Sequence, residues 1–386
     1  MSTVAAKPVE LSVAALNAEA RRLTGLDDFG PNNFDEVLRV LLDNVLRHGN
    51  LTERGLAQTR GSAIKHLSIR LRMQDFFARH PEIADQEIVA PVVIIGLQRT
   101  GTSKLFRNIA ADPQWNVLYT WQALNPIPPE GWEPGMADSR LAEAEAFCEQ
   151  QQFMAAAHKF EARAPEMEAM LMAQGFMSNS GQYLIPEHSR WMETADYGPL
   201  YRQLKRQLQF LQWQNRYEPG RRWILKTPGH LYAPETLLEV FPDASLVMTH
   251  RHPRSSVGSM CKLVEITQQQ VARSVDRAVI GRTWLRIMSN SIGNFVRLCD
   301  SEHAGAVIDV SFRDLVGDPL PAIRRIYDFA AMAFTGETEM AVARWHAENP
   351  QHSEGKFEYE LEDYGIAEPD IEAAFGDYLQ AFAHLI

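Results

Sequence analysis

Along residues 11–80 apolar side chains recur at three- and four-residue steps. Val37, Leu38, Leu41, Leu42, Val45 and Leu46 form one stripe, and Leu67, Leu71 and Phe76 another. That period predicts amphipathic helices, punctuated by the turn-forming run Gly30-Pro31-Asn32-Asn33. The pattern changes at Pro91-Val92-Val93-Ile94-Ile95, a continuous β-branched run backed by a glycine, which reads as a strand buried on both faces of a parallel sheet. Trp223–Leu225, Ala244–Met248 and Ala306–Val310 have the same character, with helical spacing between them. Strands alternating with helices predict an α/β fold, a doubly wound parallel sheet with helices on both faces whose ligand sites lie beyond the carboxyl ends of the strands. Two regions are expected: an N-terminal helical region over residues 1–88 that packs on the core, and an α/β domain over 89–386 with a helical insertion at about 115–220.

A chain of 386 residues with 45% apolar and 23% charged side chains has ordinary globular composition, which excludes a fibrous or disordered protein. The 38 basic against 49 acidic side chains give a net charge of −11 with no basic run, so nucleic acid is not an expected partner and any anion site must be a local cluster. Residues 1–10 show neither the basic start nor the apolar core of a secretory leader. The longest apolar stretch, around Val89–Leu97, is too short for a transmembrane segment. Cys148, Cys261 and Cys299 lie far apart without CxxC spacing, which suggests neither disulfides nor zinc and fits a cytoplasmic protein.

Directly after the first strand comes Gly96-Leu97-Gln98-Arg99-Thr100-Gly101-Thr102-Ser103, a glycine-bounded loop that opens a helix and so turns backbone N–H groups toward an anion. Its spacing is that of a P-loop with Thr102 in the lysine position. Without that lysine, and with Arg99 inside, the loop suits a shorter diphosphate-like group better than a nucleoside triphosphate. A glycine turn with no ligand is the plainer alternative.

The loop resembles the 5′-phosphosulfate-binding loop of sulfotransferases that use 3′-phosphoadenosine 5′-phosphosulfate (PAPS), usually P-[KR]-[ST]-G-[ST]-[ST]. Gln98 replaces the proline, and Lys104 stands where many cytosolic members carry an adenine-stacking tryptophan. Arg251-His252-Pro253 followed by Ser259 resembles the family's 3′-phosphate motif, with His252 for its Asp or Asn. Leu225-Lys226-Thr227-Pro228-Gly229-His230-Leu231 matches the L-K-[ST]-P-x-H-L segment of a bacterial group that also carries N-terminal helices. Asp309–Pro319 and a glycine–lysine loop at Gly355-Lys356 complete the series in chain order.

The resemblance implies PAPS as co-substrate, 3′,5′-ADP as product and no metal. Gln98, Arg99, Thr100, Gly101, Thr102, Ser103, Arg251, Ser259 and Lys356 are the residues it implies for the donor. Arg99 and Lys226 would neutralise the leaving group, and His230 would deprotonate the acceptor. An imidazole is chemically apt as a base, though a capping or core histidine reads the same way. Glu166 and Glu168 are the alternative bases. Phe153, Met154, Met167, Met170, Met172, Phe176, Met177, Tyr183, Trp191 and Met192 of the insertion read either as the wall of an apolar acceptor pocket or as helical core. A P-loop kinase and a non-catalytic nucleotide-binding module are the rival readings, and a homodimer stays open.

Overall fold

The computed structural model describes residues 10–31, 34–156, 158–177, 181–183, 185–350 and 358–386. Four parallel strands, Val92–Gly96 (β1), Ile224–Lys226 (β2), Ser245–His250 (β3) and Val307–Ser311 (β4), form one sheet in the order β2-β1-β3-β4. From β1 the chain crosses to one side to make β2, then returns past β1 to make β3 and β4. The direction of winding therefore reverses between β1 and β3, where the loops leaving the two strands diverge and open a crevice.

Alternate strand residues serve opposite faces. Val93, Ile95, Leu225, Leu246 and Met248 pack with the helices Gly198–Asn215, Pro253–Gln269, Arg277–Cys299 and Glu368–Ala381. Val92, Ile94, Ile224, Val247 and Val310 meet Leu105, Phe106, Ile109, Ile323 and Ile326 on the other face. β1, β2 and β3 beyond Ser245 are buried on both faces, which is why they read as apolar runs, while the first three residues of the edge strand β4 are half-buried. Each strand begins one residue later than the apolar pattern predicts and ends one residue later, or two for β3. Pro91 has no N–H to give to a ladder, and polar Lys226, Thr249, His250 and Ser311 are carried into the strands by pairing, with Ile94 opposite Lys226 and His250 opposite Ser311.

At the N-terminus, Val13–Thr24 (α1), Phe34–His48 (α2) and the 27-residue helix Glu53–Arg79 (α3) form their own apolar cluster through Leu16, Leu38, Leu42, Leu67 and Leu71. This layer is pinned to the α/β body beside the start of α3. Thr52 caps that helix by accepting from the Gly55 N–H at 3.0 Å, while its own N–H donates to the Val271 carbonyl at 2.8 Å. A Cβ on Gly55 would stand 2.2 Å from that same carbonyl oxygen, so only glycine permits the approach.

Between β1 and β2 the insertion is partly helical, including Thr120–Leu124, Ser139–Gln150, Pro186–Met192 and Gly198–Asn215. The stretch 158–168 is irregular, and in it the Glu166 N–H donates to the Leu118 carbonyl at 2.8 Å.

Candidate active site

The glycine-bounded loop sits in the crevice between β1 and β3 and leads into the helix Thr102–Ile109 (α4). Arg99 has φ +72° and Gly101 φ +90°, a path that turns successive amides to one side and forms an anion-binding concavity. Thr100 is buried and spends its hydroxyl inward, donating to the Leu97 carbonyl at 2.7 Å and meeting the Thr249 hydroxyl at 2.6 Å. The loop is thus bolted to β3, and what Thr100 can offer a ligand is its backbone. A Cβ on Gly101 would approach the Phe312 ring to 3.0 Å. Gln98, Arg99, Thr102 and Ser103 face a cavity of about 710 Å³.

Two arginines converge across the crevice. Arg99 Nε donates to Ser259 Oγ at 3.0 Å, and Arg251 Nη1 donates to the Arg99 carbonyl at 2.8 Å. The Arg251 guanidinium lies 4.3 Å from the centre of the Phe312 ring. Burial and then the Arg251 charge both lower the pKa of Arg99. Two partly desolvated cations held together are a poor arrangement for an empty site and a good one for a multiply charged anion. Tyr359, which the motifs did not single out, closes this corner: its hydroxyl donates to the Ser255 carbonyl at 3.0 Å, and its ring occupies the place a Cβ on Gly258 would take. Lys356 lies outside the described residues.

Lys226, the last residue of β2, is buried and donates from Nζ to Ser103 Oγ at 3.2 Å, while its backbone N–H donates to Glu168 Oε2 at 2.9 Å. Burial lowers its pKa against the pull of Glu166 and Glu168. His230 leaves the same loop but is wholly buried behind the cavity wall. Its Nε2 lies 2.6 Å from Glu168 Oε1 and its Nδ1 3.3 Å from the Tyr201 hydroxyl. Thr227, Pro228, Gly229 and Tyr232 line the cavity around it, and the His230 ring does not.

Of the ten apolar residues proposed from the insertion, Met154, Met167, Met170, Met172 and Met177 line the cavity. Phe153 is on the surface, Phe176 joins the N-terminal cluster and Met192 the main core. The Tyr183 hydroxyl oxygen accepts from Thr59 Oγ1 at 3.1 Å and its ring packs in a small cluster beside Val45 and Val271, while Trp191 packs against the main core outside the cavity. One face of α3 completes the wall through Gln58, Ser62, Lys65, His66 and Ile69, a contribution that no local signal in those residues announces.

His158 also lines the cavity, with its Nε2 2.8 Å from Glu166 Oε2. Burial raises the Glu166 pKa, but His158, Lys226 and Arg107 outweigh it and hold the carboxyl at about 2. Among the described residues no three His, Cys, Asp or Glu side chains cluster as metal ligands.

These burials predict acid sensitivity. Glu166 has a folded pKa far below its ordinary 4.5, so its contribution is present above that value and is lost as the pH falls toward 2. His188, wholly buried beside Asn44, is pushed from 6.5 to about 4 by burial, so the folded state resists a proton that the unfolded chain accepts. Stability is therefore expected to fall as pH drops from 6.5 through 4, and further below 4.5. Urea midpoints across this range test it: a flat profile between 6.5 and 4 would remove His188 as a contributor.

The sulfotransferase family model matches residues 91–336, from the start of β1 past β4. The crystal structure of sulfotransferase STF9 from Mycobacterium avium superposes with a TM-score of 0.85 at 27% identity, covering 97% of each chain. Sulfotransferase STF1 from Mycobacterium tuberculosis H37Rv gives a TM-score of 0.83 at 28% identity, covering 96% of this chain and 100% of that one. Coverage this complete takes in the N-terminal helices as well as the sheet. No curated protein is matched by the sequence. With the family match spanning more than half of the chain and both loops of the crevice, the protein belongs to the sulfotransferase family.

Proposed function

We propose that the donor is PAPS and that the acceptor is a hydroxyl, or an amine, of a small apolar molecule. The observation that supports this most is the convergence of Arg99, Arg251 and Ser259 at the switch point, with Lys226 on Ser103 beside them at one wall of a largely apolar cavity of about 710 Å³. Backbone amides of Gln98–Ser103 would cradle the 5′-phosphosulfate, and Arg251 and Ser259, with Lys356, the 3′-phosphate. Arg99 and Lys226 would neutralise the bridging oxygen as the sulfur–oxygen bond to the phosphate breaks. Catalysis is then mainly positioning and charge stabilisation, and a sulfuryl group needs no metal clamp. His230, with both ring nitrogens engaged, would act at one remove by fixing Glu168 and through it Lys226.

The cavity wall is rich in methionine, an adaptable lining that suits a bulky apolar acceptor. The three cysteines form no disulfide, in keeping with a cytoplasmic setting.

A kinase sharing the loop would need a cation at Thr102. Calorimetry separates the two: 3′,5′-ADP is expected to bind without metal, and ATP with Mg²⁺ at least tenfold more weakly. Incubation with sulfur-radiolabelled PAPS and a metabolite extract should yield labelled product. Tight ATP binding with no uptake of label would refute the donor assignment.

A further inference from the structure

We propose that His158, oriented by Glu166, is the general base that removes the proton from the acceptor. This rests on the sulfotransfer reading above and assigns it a residue that no motif marks.

His158 lies in the irregular stretch after the helix Ser139–Gln150 and presents its ring to the same cavity as Ser103 and Lys226. Its Nε2 lies 2.8 Å from Glu166 Oε2. A carboxylate can only accept, so this nitrogen carries the hydrogen and Nδ1 of the neutral ring keeps its lone pair. No hydrogen bond joins Nδ1 to another described residue. The Phe160 ring, 4.4 Å away centre to centre, limits the imidazole's rotation, and Phe147 in turn backs Phe160 at 5.2 Å.

Glu166 is itself immobilised. It is buried, its Oε1 accepts from the Met167 N–H at 2.8 Å, and Arg107 Nη2 lies 3.8 Å from Oε2. Arg107 stands one turn beyond Ser103 on α4, and Ser103 holds the Lys226 ammonium. One rigid helix thus ties the base to the group that receives the leaving oxygen, which is what a near-attack arrangement requires. His230, whose two nitrogens meet Glu168 and Tyr201 behind the wall, has no such access.

The step balances simply. The acceptor O–H proton passes to His158 Nδ1 as the acceptor oxygen bonds to sulfur. The bond from sulfur to the 5′-phosphate oxygen breaks, and its electron pair leaves on 3′,5′-ADP. The imidazolium is neutralised by Glu166. The titratable and charged groups around His158 are Glu166, Arg107 from α4 and Lys226 from β2, Cys148 from the helix Ser139–Gln150, and Lys159 and Glu161 in its own loop.

The test uses the full chain, PAPS and a set of para-substituted phenols, comparing 4-methoxyphenol with the more acidic 4-nitrophenol. For His158→Ala we expect kcat/KM toward 4-methoxyphenol to fall about 100-fold or more. The loss should shrink with 4-nitrophenol, whose proton needs less help. The acid limb of the pH profile should disappear, added imidazole should restore part of the rate, and calorimetric affinity for 3′,5′-ADP should stay within about threefold. Glu166→Gln should give a smaller loss of the same kind, and His230→Gln should retain the acid limb. A His158→Ala variant with unchanged rate and acid limb would overturn the base while leaving the donor assignment intact, as would transfer of those effects to His230→Gln. No transfer from PAPS by the unsubstituted protein would overturn the donor assignment and this one with it.

Discussion

Lys226→Met is expected to lower kcat for sulfuryl transfer by about two to three orders of magnitude, the loss seen when one preorganised charge-stabilising group is removed from an active site. Methionine nearly preserves the volume of the stem and removes only the ammonium, whose Nζ lies 5.8 Å from the centre of the Phe106 ring. Three features place that ammonium where charge would develop. It is buried, so its field is weakly screened. Its contact is Ser103, the last residue of the loop motif and a cavity-lining one. Its backbone is anchored by Glu168, so the ladder partner of Ile94 cannot drift. The ground-state affinity for 3′,5′-ADP is expected to change far less than kcat, because in the proposed complex Arg99 and Arg251 would carry most of the binding of the carrier. Steady-state rates together with calorimetry check this. A variant within threefold of the parent kcat would exclude Lys226 from the transfer step.

Glu168→Ala is expected to destabilise the fold by about 2–4 kcal/mol, since removing one partner of a buried polar set leaves the others unpaired. Glu168 is wholly buried and accepts from two buried donors, the Lys226 N–H at 2.9 Å and His230 Nε2 at 2.6 Å. Alanine leaves both without an acceptor and removes a carboxylate that offsets the Lys226 charge. Glu168→Gln should cost about half as much, because the amide still accepts through one oxygen but meets the other donor with an NH₂ group. Urea unfolding at pH 7 measures both, and a loss below about 1 kcal/mol for the alanine variant would show that water replaces the carboxylate.

The motif residues were legible because the chemistry they serve is local. A loop that must turn its amides inward needs glycine at Gly96 and Gly101, and it must lie between a strand and a helix, so strand, loop and helix appear as neighbours in the chain. The strand ends were less legible. Apolar pattern stops at Leu225 and Met248, yet pairing carries Lys226, Thr249 and His250 into the ladder. A backbone hydrogen bond takes no account of side-chain polarity. Those polar strand ends carry Lys226 on Ser103, Thr249 on Thr100 and His250 on Asp309.

His158 and His230 show the limit most clearly. Each sits in a stretch of mixed apolar and polar residues, and neither its neighbours nor its spacing says which ring meets the cavity. The answer depends on Glu166 and Glu168: the backbone turns at Glu168 into the short helix Ala169–Met172, so one carboxylate meets His158 and the other His230. The α3 face is similar: nothing local to Ser62, Lys65 and His66 marks them as lining the cavity.

By itself, the sequence determined the parallel sheet, the phosphate-type loop and the order of the motifs, because hydrophobic period and backbone dihedral demand act over a few residues. Only the tertiary structure decided which histidine reaches the cavity, what walls it and how two arginines meet, because burial and charge proximity arise between segments far apart in the chain, as Arg99 and Ser259 are at a separation of 160 residues.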